Sequence, residues 1–245
     1  MSRCSLTVLT LMFLCAGSVL ADGEFIMITA GGSVNGNEQA ISDFVTEMGF
    51  EVEVHSDGEP DPVDLTDASI VMVTESITSG NVAGVYNDVS VPVIANEAWI
   101  WDDMGFAADG TQFKDVDTTI VIENPNHVIT EGFAGDVVIT SQPVTLMSTS
   151  EFLGDAQVLA TVKSTGNATL AVYEAGAQTD KGKAPARRVA IFLFNDTPLA
   201  LTENGWTLVE RSILWAIGEI GADQPVDSEG ALAVTWGHLK ARKEQ

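Results

Sequence analysis

Three acidic side chains stand within two residues after apolar, strand-like runs. Glu75 follows Ser69–Thr74, Glu97 follows Val91–Asn96, and Asp196 follows Arg187–Phe194. If those runs are parallel strands of one sheet, all three carboxylates arrive at the carboxyl-terminal edge, where open α/β sheets bind ligands. The same rule selects Gly31, Gly32 and Ser33 after the first strand, then Ser76, Asn96 and Asn195 beside the acids. Paired carboxylates suit glycoside hydrolysis, which needs one acid kept protonated and one ionised. Glu97 and Glu75 are the working pair in that reading, with Trp99 and Trp101 as a sugar platform. Carboxylates and carbonyls are also the ligands of Ca²⁺ or Mg²⁺. The plain alternatives are that acids abound, at 35 Asp and Glu in 245 residues, and that both tryptophans are core, since aromatic rings bury large areas.

The elements that would position these groups come from periodicity. Glu24–Ala30 reads as a strand, and Asn37–Met48 as an amphipathic helix carrying Ala40, Ile41, Phe44, Val45 and Met48 on one side. Gly49 stops it. Glu51–His55 alternates, while Ser69–Thr74 and Val91–Asn96 are continuous apolar runs, as in strands buried on both faces. Ser79–Tyr86 allows a short helix. Thr118–Ile122, Asp136–Thr140, Ala156–Val162, Ala168–Glu174 and Arg187–Phe194 add strands, several of them antiparallel, before a last helix at Glu203–Ile217. The fold class expected is a three-layer α/β, flavodoxin-like arrangement: a mostly parallel sheet, helices on both faces, and extra antiparallel strands in the second half.

Residues 1–21 read as a signal peptide, with Arg3 as the positive region, Leu6–Leu14 as the apolar run and Val19-Leu20-Ala21 as the cleavage site. That run is too short to span a bilayer, so no membrane span is expected. The chain would be secreted, or held in the periplasm or cell envelope. Cys4 and Cys15 both fall in this leader, which leaves residues 22–245 without a disulfide, a thiolate metal site or a cysteine nucleophile. With 11 Lys and Arg and a net charge of −24, nucleic acid is not a partner, because phosphate neutralisation needs basic clusters. Dense carboxylates hydrate a surface and hold molecules apart. One domain is expected over residues 22–221, followed by a linker and tail at 222–245 with Lys240, Arg242 and Lys243 near its end. His55, His127 and His238 are scattered and make no zinc site.

Four segments resemble class I glutamine amidotransferases and their ThuA-like relatives. These are the opening strand with Gly31-Gly32, the strand with Glu75-Ser76 and Ser79-Gly80, the run Pro92-Val93-Ile94-Ala95-Asn96-Glu97, and the run Ile191-Phe192-Leu193-Phe194-Asn195-Asp196-Thr197. The third is similar to the strand entering the nucleophile elbow, written P-V-L-G-I-C, and the fourth to the strand ending in F-H-P-E. Asn124-Pro125-Asn126-His127-Val128-Ile129-Thr130 resembles the H-P-I-T segment of ThuA-like proteins, with a local turn around a hydrogen-bonded His127 as its plain reading. The resemblance puts the nucleophile position on Glu97, the general-base position on Asn195 and the orienting-acid position on Thr197. Acyl transfer needs a nucleophile, a titrating base and an orienting acid, and Asn195 cannot exchange a proton near neutral pH.

Glutaminase chemistry is therefore excluded. The expectation is an exported, non-catalytic, amidotransferase-like module with a binding or structural role outside the cytoplasm, its partner an extracellular ligand, carbohydrate or protein. No cofactor is called for beyond the Ca²⁺ or Mg²⁺ option. The crevice would be formed by Gly32, Ser33, Glu75, Ser76, Asn96, Glu97, Asn195 and Asp196, and the alternative is the Glu97–Glu75 carbohydrate hydrolase.

Overall fold

A computed structural model of the protein describes residues 23–59 and 63–221, so the leader and tail readings lie outside the described residues. The strands are β1 (Glu24–Thr29), β2 (Glu51–Ser56), β3 (Ala68–Val73), β4 (Val93–Ala95), β5 (Gln112–Asp117), β6 (Thr119–Ile122) and β7 (Gly135–Val138). They continue with β8 (Val144–Thr149), β9 (Gln157–Val162), β10 (Ala168–Tyr173), β11 (Gln178–Thr179), β12 (Gly182–Lys183) and β13 (Arg188–Ala190). The helices are α1 (Gly36–Glu47), α2 (Ser79–Val82) and α3 (Glu203–Ile217).

One 11-stranded sheet runs β2-β1-β3-β4-β13-β10-β9-β6-β7, with β8 paired to the end of β10 and β5 to β8. β2, β1, β3, β4 and β13 are parallel neighbours. From β10 onward every pairing is antiparallel. The sheet is therefore mixed rather than mostly parallel. The second half lacks intervening helices, and short turns can join only antiparallel neighbours.

The two faces of the parallel half are built from alternate residues of the same strands. Phe25, Met27, Ile70, Met72 and Ile94 face α1 and α3 in one core cluster. Ile26, Ile28, Val71, Val73, Val93 and Ala95 face the other way. α1 presents Ile41, Phe44 and Val45 to the first cluster, and α3 presents Leu208, Val209, Ile213 and Trp215. Burying each such side chain is worth about 1.5–3 kcal/mol. Gly205 lets α3 approach closely, because a Cβ there would meet the Ile139 carbonyl oxygen at 2.4 Å.

Both long helices thus lie on one face. The other carries the single turn α2, a 3-10 turn at Ala98–Ile100, and a loop holding Trp101, Met104 and Phe106, instead of a layer of full helices. Val82 and Val85 supply too little apolar surface for more, and Trp101, wholly buried, fills the space. Among the described residues no helix is long and apolar enough to cross a membrane.

Candidate functional site

The parallel strands deliver five short segments to the carboxyl-terminal edge. After β1 comes a 3-10 turn, Ala30–Gly32, with Gly31 at φ 63° and Gly32 at φ 72°. After β2 comes Asp57, after β3 Thr74-Glu75-Ser76, after β4 Asn96-Glu97, and after β13 the run to Asn195-Asp196. Two buried carboxylates knit these loops together. Asp57 accepts the Gly31 N–H at 3.1 Å, the Thr78 N–H at 2.8 Å and the Asn81 side-chain amide at 3.2 Å. Burial pushes its pKa up, yet those hydrogen bonds outweigh burial and leave it below the ordinary carboxylate value. Glu38 accepts the Asn35 N–H at 2.8 Å and the hydroxyls of Thr74, at 2.6 Å, and Ser76. It is also half of a capping box with Asn35 at the start of α1, which fixes the helix against β3.

The second pair of acids is treated differently. Glu75 is buried, and only one of its oxygens is partnered, by Lys114 Nζ at 3.4 Å. Oε2 has no hydrogen bond of normal geometry. Burial raises the Glu75 pKa; Lys114 pulls it back, the nearby Asn195 N–H does so in smaller part, and Asp196 adds to the rise. Glu97, 5 % exposed, accepts the Trp99 N–H at 2.8 Å. Its pKa is pushed up to about 7, chiefly by burial, against the Trp99 hydrogen bond, with the Glu75 charge raising it further and Lys114 opposing. A rise of that size costs the ionised form about 3 kcal/mol in the folded chain.

Lys114, on β5, ties this corner together. Its ammonium lies 4.3 Å from the centroid of the Phe194 ring and 4.8 Å from that of Trp99, a cation–π arrangement. Trp99 is 40 % exposed, whereas Trp101 is wholly buried with Nε1 donating to the Ala95 carbonyl at 3.1 Å. One tryptophan is therefore a rim residue and the other core.

The space between these groups is small. Glu38, Thr74, Glu75, Asn96, Phe194 and Asn195 line a cavity of about 10 Å³, room for about one water molecule. Binding pockets for small molecules run to hundreds of Å³. A larger space, about 50 Å³, lies at Asn87, Lys181, Lys183 and Arg188, away from the strand ends. There the Arg188 guanidinium already donates to the carbonyls of Val91, Arg187, Asn87 and Val89. Burial lowers its pKa to about 10. It is a loop clamp.

Of the residues selected from the sequence, Glu75, Asn96 and Asn195 line the small cavity. Glu97 stands close enough to Glu75 for their charges to interact, and Ser76 binds Glu38. Gly32 leans on β2, where a Cβ would meet the Ser56 nitrogen at 3.4 Å. It and Ser33 do not line the cavity. Asp196 is exposed and accepts the Thr145 N–H at 3.2 Å, so three carboxylates do not converge as a ligand set. Among the described residues no group of three or more His, Asp or Glu is arranged to hold a metal. Thr197, wholly buried, donates to the Thr145 carbonyl and accepts the Phe194 N–H, which makes it a turn-former. His127 accepts the Ile129 N–H at 3.3 Å and packs edge-on against Trp215 of α3, as the local-turn reading requires. His55 Nε2 lies 2.8 Å from Glu53 Oε1, outside hydrogen-bonding geometry. Periodicity passed over Glu38 and Lys114. The Asn-x-x-Glu spacing of a capping box was the available signal for the first, whereas Lys114 had none.

Comparison with known proteins gives the fold alone. No protein-family model matches the sequence, and no curated protein matches it. Among solved structures, a ThuA-like protein from Bacteroides uniformis superposes with a TM-score of 0.53 at 9 % identity, covering 79 % of this chain and 91 % of that one. A second, SMU.1228c, has a TM-score of 0.40 at 12 % identity, covering 60 % of this chain and 71 % of that one. The chain thus has a ThuA-like α/β fold.

Proposed function

We propose that the protein is an exported, non-catalytic module that uses an amidotransferase-like frame to bind a ligand outside the cytoplasm. The observation that carries this reading is the closed crevice: where such a frame would open its active site, the strand ends enclose about 10 Å³, and Lys114 pairs with Glu75 beside the Trp99 ring. The positions that the family resemblance assigns to the triad do other work. Glu97 holds the Trp99 N–H, Thr197 forms a turn, and Asn195 is exposed and accepts a long hydrogen bond from the Asn35 side chain.

One observation favours the hydrolase reading. Glu97, with a pKa of about 7 beside Glu75, has the protonation behaviour of a general acid. That chemistry would require the crevice to open by the width of a sugar ring. A panel of chromogenic glycosides, assayed from pH 5 to 8 with wild type and Glu97→Gln, separates the two. No turnover is expected from either protein. Turnover by wild type that is lost in Glu97→Gln would replace this reading with the hydrolase.

A further inference from the structure

The small cavity has an unusual lining. Two of its lining residues carry an acceptor with no hydrogen bond of normal geometry, Glu75 Oε2 and Asn96 Oδ1. Both residues are more than nine-tenths buried, Glu75 at 9 % and Asn96 at 2 % exposure. Buried acceptors left unpaired cost about 1–3 kcal/mol each, so this lining calls for a donor. The opening admits a group about the size of water. The chemistry beside it is that of cation recognition: a carboxylate oxygen and two aromatic faces already hold an ammonium, that of Lys114. That side chain is 45 % exposed, a surface residue reaching Glu75 from β5 instead of a core group. Two carboxylates, Glu75 and Glu97, face this single cation.

A primary ammonium fits each of these features. It has three donors and no acceptor, is close to water in size, and gains from both the carboxylate and the rings. A quaternary ammonium is too bulky for the opening and offers no donors. We propose that the crevice is a binding site for a primary alkylammonium group carried by a ligand or partner, and that Lys114 is its intramolecular stand-in. The incoming ammonium enters between Glu75 Oε2 and Asn96 Oδ1 and displaces Lys114 from Glu75 and from the rings. The identification of the ligand class rests on the non-catalytic reading above. A bound water, donating to both orphan acceptors, is the competing occupant.

The test is a titration of the full chain with methylammonium chloride, followed by calorimetry and by melting temperature. Sodium chloride and tetramethylammonium chloride at equal ionic strength are the controls. Wild type is compared with Lys114→Met, with Lys114→Gln run beside it so that a folding defect in one does not decide the matter. The expected result is saturable binding of methylammonium alone, with a midpoint about tenfold lower in the Lys114 variants, because removing an internal competitor raises the competent fraction. Adding Glu75→Gln to Lys114→Met should abolish it. Responses to methylammonium that match sodium in every protein would overturn the proposal and leave water as the occupant. So would binding that survives Glu75→Gln, or tetramethylammonium binding as well as methylammonium. Glycoside turnover would sink the non-catalytic reading separately, whatever this titration gives.

Discussion

On the α1 side of the crevice, Glu38 is 3 % exposed and accepts three hydrogen bonds, from the Asn35 N–H and the Thr74 and Ser76 hydroxyls. On the β5 side, Glu75 is nearly as buried yet holds one long contact to Lys114 and leaves an oxygen unpartnered. Glu97 next to it has a single backbone donor. A buried carboxylate with full partners stabilises the frame, whereas one without them costs stability. Carboxylates held in the costly state cluster at sites of function more than in plain scaffolding. The contrast therefore assigns the two corners different tasks: the Glu38 corner fixes α1 to β3, and the Glu75–Glu97 corner keeps an unmet demand for positive charge.

The largest effect should come from breaking the satisfied corner. Glu38→Ala strands the Asn35 N–H and two hydroxyls and removes a helix cap, for a loss of about 3 kcal/mol in urea denaturation. A loss below about 1 kcal/mol would erase the contrast, since Glu38 would then be no better integrated than its neighbours.

A smaller effect of opposite sign is expected at Glu97. Its folded pKa, about 7, lies above the ordinary 4.5, so between those values the native state binds more protons than the unfolded one. Stability contributed by this group is therefore present below pH 4.5 and is lost as pH rises through about 7. Glu97→Gln keeps an acceptor for the Trp99 N–H without the charge. It should match wild type near pH 4 and be about 2 kcal/mol more stable at pH 8, a gain of several degrees in Tm. Equal melting curves at pH 8 would mean that Glu97 carries no such strain.

Much of the frame was legible in the sequence. The α3 reading, Glu203–Ile217, matches the observed helix at both ends, because Thr202 caps one end and Gly218, at φ 87°, turns the chain out at the other. The runs at β3 and β4 were found from continuous apolar residues, and β9 and β10 from strand-like stretches of the second half. β5 and β8 were missed. β5 bonds only β8 and leaves Phe113 and Val116 exposed, so its sequence, Gln-Phe-Lys-Asp-Val-Asp, carries no buried face for periodicity to detect. That edge strand brings Lys114 to Glu75, which is why the acids could be selected from the chain but their partner could not. The expected meeting of Asp196 with Glu75 and Glu97 failed for a related reason: the β8 backbone, unseen in the sequence, supplies the Thr145 N–H that holds Asp196 aside.

The central claim is that Lys114 pairs with Glu75 at the crevice as a displaceable ammonium. Proton–carbon NMR of the Lys114 Cε methylene reads it directly, because the Nζ it carries lies over the faces of Phe194 and Trp99 and ring currents there move the neighbouring methylene upfield. The account predicts an upfield resonance, absent in Lys114→Met, that returns towards the position of an exposed lysine as methylammonium is added. A Lys114 signal at the exposed position from the start, or one that methylammonium leaves in place, would contradict it.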